Sequence, residues 1–108
     1  MLVVDSEGVG VEEVIPEGFK VHSPYPNPFN PSTAIRYELP NNSHVEVVVY
    51  DILGRKVKVL EYRYLSAGVH EVVWNGECDE GREVSSGVYI YQVKAGGYMK
   101  HAKMVLVR

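Results

Sequence analysis

The chain has 108 residues, 45% of them hydrophobic, and a formal net charge of −3, which gives room for one core but not two. A charged fraction of 23% excludes a largely disordered chain, and a pI near 5.8 gives no electrostatic reason to expect nucleic acid as a partner. Cys78 is the only cysteine, so an intramolecular disulfide and any paired-cysteine metal or redox motif are excluded.

Residues 1–18 read as an acidic linker or weakly ordered segment. Asp5, Glu7, Glu12, Glu13 and Glu17 fall there without a base, which leaves all 11 bases against nine acids for the remainder. Acids stand where a signal peptide carries bases, so no export signal is expected in this segment. The longest apolar run, Val47-Val48-Val49-Tyr50, is far below the ~20 residues of a membrane helix, and no stable membrane insertion is expected. Residues 19–108 read as the folded domain.

Phe19–His22 supplies a first short strand. All six prolines lie in the first forty residues. Pro26-Asn27-Pro28-Phe29-Asn30-Pro31 is a stiff, donor-poor segment suited to lie along a sheet edge, with Phe29 as its apolar anchor. From Thr33 onward the period is two. Thr33–Leu39 places Ile35, Tyr37 and Leu39 on one face, and His44–Asp51 does the same with Val45, Val47 and Val49. Lys56–Tyr62 aligns Val57 with Val59, and Val69–Trp74 aligns Val72 with Trp74. Val88–Lys94 aligns Tyr89, Tyr91 and Val93, and Tyr98–Val107 aligns Ala102, Met104 and Leu106. Turn-forming clusters such as Leu53-Gly54-Arg55, Ser66-Ala67-Gly68 and Ala95-Gly96-Gly97 separate these runs. No window carries a capped helical stripe. About seven antiparallel strands over some 90 residues must form two packed sheets, because a single sheet would leave an apolar face in water. Phe29 and Trp74 are the large core candidates, and Gly54 and Gly87 suit positions where a Cβ would clash.

Catalytic patterns are not evident. His22, His44, His70 and His101 lack the i, i+2 or i, i+4 partners that put two imidazoles on one face. Ser85-Ser86-Gly87 lacks the strand–turn–helix setting of a nucleophile elbow, and no glycine-rich phosphate loop opens a helix. Asn75-Gly76-Glu77-Cys78-Asp79-Glu80-Gly81 offers oxygen ligands that calcium prefers, without EF-hand spacing; the plainer reading is a solvated hairpin turn. Asn41-Asn42-Ser43 is formally a glycosylation sequon and equally plain turn composition. Tyr62 and Tyr64 are the tyrosines expected outside the core, where they would either stack on sugars or simply serve as good strand residues.

Tyr25-Pro26-Asn27-Pro28-Phe29-Asn30-Pro31-Ser32-Thr33 and Val49-Tyr50-Asp51-Ile52-Leu53-Gly54-Arg55-Lys56-Val57 resemble the opening and the second block of carboxy-terminal sorting domains of the type IX (Por) secretion system. Trp74-Asn75-Gly76, Asp79-Glu80-Gly81-Arg82 and Ser86-Gly87-Val88-Tyr89-Ile90-Tyr91 follow in order, then the basic–apolar block Lys103–Arg108. Asn75 stands where the family often has Asp, which speaks against a metal there. The pattern is also similar to the Ig-like domain of flagellar hook-capping proteins.

The resemblance implies an all-β, Ig-like (fibronectin type III-like) sandwich that is not an enzyme and needs no cofactor. It would serve as a sorting signal that directs an amino-terminally attached passenger through the periplasm and across the outer membrane, to the cell surface or the medium. Its partners would be the secretion translocon and sortase-like proteins. Translocon recognition would fall on Lys100, Lys103, Met104, Val105, Leu106, Val107 and Arg108. Pro26, Asn27, Pro28, Phe29, Gly54, Trp74 and Gly87 would be structural motif residues. Alternatives are a structural or adhesive Ig-like module of the hook-capping kind and a carbohydrate-binding accessory module. Lys103 and Arg108 are expected to be surface charges whose loss costs little stability.

Overall fold

The computed structural model describes residues 18–108. The acidic segment expected over 1–18 lies, apart from Gly18, outside the described residues. The elements are β1 (Lys20–Val21), β2 (Thr33–Leu39), β3 (Ser43–Asp51), β4 (Lys56–Leu65), β5 (Gly68–Trp74), β6 (Gly87–Ala95) and β7 (Tyr98–Leu106), with no helix among the described residues. All neighbouring strands pair antiparallel, in a three-stranded sheet ordered β1-β2-β5 and a four-stranded sheet ordered β4-β3-β6-β7. These are the two packed antiparallel sheets that the alternation demanded, arranged as the Ig-like sandwich that the resemblance implies.

The alternating residues meet between the sheets. Ile35, Tyr37 and Leu39 of β2 and Val72 and Trp74 of β5 face Val45, Val47 and Val49 of β3, Tyr89, Tyr91 and Val93 of β6, and Met104 and Leu106 of β7. Removing these side chains from water is the main favourable term of folding. Trp74 is fully buried, tilted against Phe29 (centroids 5.6 Å apart) and edge-on to Tyr89 (5.1 Å). Its indole N–H donates to the carbonyl of Glu77 at 2.9 Å, so the ring is buried without an unsatisfied donor.

Three expectations change. Val57 and Leu60 pack against the core, whereas Val59 stands opposite Val48 on the outer face. The cause is a pair of register shifts, between Val47 and Val48 and between Val49 and Tyr50, which rephase β4. Ala102 is exposed although Met104 and Leu106 are buried, because β7 is an edge strand of the wider sheet and three strands do not cover four. Gly54 and Gly87 have open space where a Cβ would project, so no clash selects glycine there. Gly54 instead turns with φ +83°, a conformation L-residues rarely adopt.

Candidate recognition site

The proline-rich segment ties the two sheets together. The N–H and carbonyl of Tyr25 pair with Ala34 of β2, each bond 3.0 Å, and the buried Thr33 hydroxyl donates to the Pro26 carbonyl at 2.7 Å. The chain then crosses to the other sheet. Phe29 N–H donates to Val105 O, and Val107 N–H donates to Phe29 O, both at 2.9 Å, so Phe29 runs parallel to the end of β7. Val105 N–H donates at 2.9 Å to the side-chain oxygen of Asn27, an acceptor carried between two prolines. Pro28 and Pro31, lacking N–H groups, suit a strap that covers an edge without offering a new one.

Arg108 closes the same end. Its backbone N–H donates to Ser86 Oγ at 2.8 Å, and its guanidinium donates to the carbonyls of Val84 and Gly76, both at 2.5 Å. The carboxylate of Glu83 lies 3.7 Å away. Gly76 is buried at φ +78°, and a Cβ there would lie 2.7 Å from the guanidinium, so glycine is what admits the arginine.

The β3–β4 turn stands beside this latch. Asp51 accepts at its carboxylate from the backbone N–H groups of Leu53 and Arg55 and from Arg55 Nε at 2.7 Å. The Arg55 backbone N–H, more than its guanidinium, holds the Asp51 carboxyl below the usual carboxylate range. So braced, the turn presents Ile52 and Leu53 at 69% and 73% exposure. Between it and Val84–Tyr89 lies an open cleft of about 470 Å³, with Val57, Val84 and Val88 on its walls. An exposed apolar pair on a braced turn beside a cleft with valine walls is a surface suited to contact with a partner.

The expected recognition residues divide. Met104 and Leu106 are core, while Val105 and Val107 hold the proline strap through their backbones. Lys103 is exposed on the outer face opposite Ile90, and Lys100 is exposed on the other face opposite Val93. Arg108 is a structural latch, which revises its expected role as a free surface charge. Pro26, Asn27, Phe29 and Trp74 belong to the strap and the core beneath it. Gly87 opens β6 opposite Leu106, and Gly54 sits in the braced turn.

The histidines are dispersed. His22 contacts Glu38 at 2.7 Å, His70 the Ser66 carbonyl at 2.7 Å, His44 lies against Tyr62, and His101 stands opposite Gln92. Among the described residues no three His, Cys, Asp or Glu side chains gather as a metal-binding group. Asp79 is engaged elsewhere. Its N–H donates to Val57 O at 2.9 Å and its carboxylate accepts from Val59 N–H at 3.1 Å, capping the open edge of β4. Sequence reasoning missed the Arg108 latch and the Asn27 and Asp79 caps. The one local hint was a polar side chain wedged between prolines.

A family model for the FlgD Ig-like domain matches residues 30–97. No curated protein matches the chain. Among solved structures, dimeric latent PorU from Porphyromonas gingivalis superposes with a TM-score of 0.64 at 21% identity, over 91% of this chain and 10% of PorU. PorZ, described as an essential bacterial surface component of the type IX secretion system of the same organism, superposes at 0.54 with 26% identity, over 84% of this chain and 12% of its own. FlgD from P. aeruginosa gives 0.55 at 24% identity, over 68% of this chain and 57% of that protein. The chain thus spans only part of each of these proteins.

Proposed function

This chain belongs to the FlgD Ig-like domain family, and we propose that within it the chain acts as a non-catalytic carboxy-terminal sorting domain. It would direct an amino-terminally linked passenger from the periplasm across the outer membrane, engaging translocon and sortase-like proteins on the way. One observation carries this reading. Residues 25–29 of the opening block, which itself runs on to Thr33 inside the matched family segment, and the whole of Lys103–Arg108 lie outside that segment, and they hydrogen-bond to each other at one end of the sandwich. The braced turn of the second block and residues Ser86–Tyr89 of the Ser86–Tyr91 block flank the cleft at that same end. Blocks remote in sequence thus meet on one surface, as a surface read by a partner requires. The likeness to PorZ, a type IX component by its own description, supports the same reading. The family match itself equally favours a structural Ig-like module of the FlgD kind.

The test is export of a reporter that carries a cleavable signal peptide and is fused ahead of residues 1–108, in a host with the type IX system. Sorting predicts reporter at the surface or in the medium. It also predicts that Ile52→Ser with Leu53→Ser, or Lys100→Ala with Lys103→Ala, retains the folded fusion in the periplasm. Wild-type fusions that stay periplasmic in several such hosts would make the structural module the better reading.

A further inference from the structure

The outer face of the four-stranded sheet carries an aromatic strip that the sorting role does not use. Tyr62 and Tyr64 on β4 stand opposite Glu46 and His44 of β3, on the side away from the core, at 66% and 67% exposure. Same-face residues two apart on a strand are spaced about 6.6–6.8 Å, so the two phenols form one continuous strip. His44 packs edge-on against Tyr62, with centroids 4.6 Å apart and planes at 79°. Such packing limits the ring's freedom before anything binds. Glu46 and, across the next strand, Lys94 stand in register with Tyr62.

Area and charge select the occupant. A fully buried aromatic contributes about 150–250 Å². The exposed two-thirds of two tyrosines therefore offers roughly 200–330 Å², well under the ~800 Å² per partner of a stable protein interface. Glu46 and Lys94 cancel beside the rings, and Lys103, a base on the same face opposite Ile90, lies four residues further along the strands, so the strip itself carries no excess of one sign to draw a polyanion or an anionic membrane. What remains suits a neutral, flat ligand with one apolar face and a polar rim. We propose that Tyr62 and Tyr64 form a binding strip for a β-linked oligosaccharide. The pyranose C–H faces lie on the two rings, and Glu46, His44 and Lys94 meet the hydroxyls. Equatorial linkages keep such chains ribbon-like, which fits rings set on a sheet face.

The experiment is backbone amide NMR of the full chain titrated with cellohexaose and chitohexaose, with α-linked maltohexaose for comparison, each up to about 10 mM, the weak end of the affinity scale. Shifts centred on 44–46, 62–64 and 94 are expected with at least one β-linked probe. Tyr62→Ala with Tyr64→Ala should weaken binding about tenfold or more. Tyr62→Phe with Tyr64→Phe should retain it within about threefold, since the ring face carries the contact. Val73→Ala, which trims an apolar side chain 59% exposed on the three-stranded sheet, should change nothing. Absence of shifts with all three sugars, shifts centred elsewhere, or undiminished binding by the alanine pair would overturn the site. Equal or better binding of maltohexaose would overturn the β-linked assignment.

Discussion

Replacing Arg108 by alanine strips two carbonyls, Gly76 O and Val84 O, of a charged donor. A hydrogen bond from a charged group contributes about 1.5–3 kcal/mol, and more is lost when the acceptor stays shielded from water. The Arg108 side chain is 24% exposed, so part of each carbonyl's loss is recovered by water, whereas Glu83, 74% exposed and 3.7 Å away, adds little. The expected cost is about 2–3 kcal/mol, read as a lower urea midpoint with an unchanged m-value. Lys103→Ala, at an exposed position, should stay within about 0.5 kcal/mol. Gly76→Ala provides the internal check. In the wild type it suffers the clash with the guanidinium, a tight 3.3 Å approach to the Pro31 carbonyl and a left-handed backbone; in the Arg108→Ala background the guanidinium clash is gone, and the backbone penalty of about 1–2 kcal/mol remains together with the Pro31 contact. A loss below about 0.5 kcal/mol for Arg108→Ala, or strict additivity with Gly76→Ala, would refute the latch.

The Tyr37 hydroxyl is buried without a partner, so Tyr37→Phe should stabilise the domain by about 1 kcal/mol at neutral pH in chemical denaturation. Burial, reinforced by Glu61 and opposed by Arg63, pushes this phenol up to about 12. A raised pKa stabilises fully below the unfolded value near 10 and is lost as pH rises through the folded one. Between about pH 10 and 12 the wild type should therefore lose some 2–3 kcal/mol more than the phenylalanine variant, and parallel pH profiles would contradict this. Asp79→Ala uncaps Val59 and should cost about 1 kcal/mol whether or not calcium is present. A rise of several degrees in Tm with calcium, abolished by that substitution, would instead make the loop a cation site.

Much of the sandwich was legible because alternation is a local property. Ile35-Arg36-Tyr37-Glu38-Leu39 states its buried face outright, and glycine-rich clusters such as Gly96-Gly97 mark the turns. β4 was misphased because a bulge depends on how two strands pair, and Lys56–Tyr62 alone carries no record of β3. Ala102 was misplaced for a similar reason, since exposure at the edge depends on the width of the opposing sheet. The site was legible as blocks but not as a surface. Nothing local to Val107-Arg108 says that its guanidinium reaches carbonyls 24 and 32 residues away in sequence. The Pro26–Pro31 run did announce an edge cover, because missing N–H groups are visible in the letters themselves.

The parallel seating of Phe29 on β7 has a mechanical meaning. Suppose the chain is pulled between the segment ahead of residue 29 and the residues following Val107. The two residue pairs of β1 and the Tyr25–Ala34 bridge would yield first. Tension then reaches the bonds Phe29–Val105, Phe29–Val107 and Asn27–Val105 along the strand direction, at right angles to the bonds themselves. In that geometry the bonds are loaded together in shear, whereas an antiparallel hairpin pulled from its open end gives way one bond at a time. A domain dragged by one end while held at the other would thus resist through the Arg108 latch and this short strap, whose three hydrogen bonds are loaded together with the Phe29 ring lodged against Trp74.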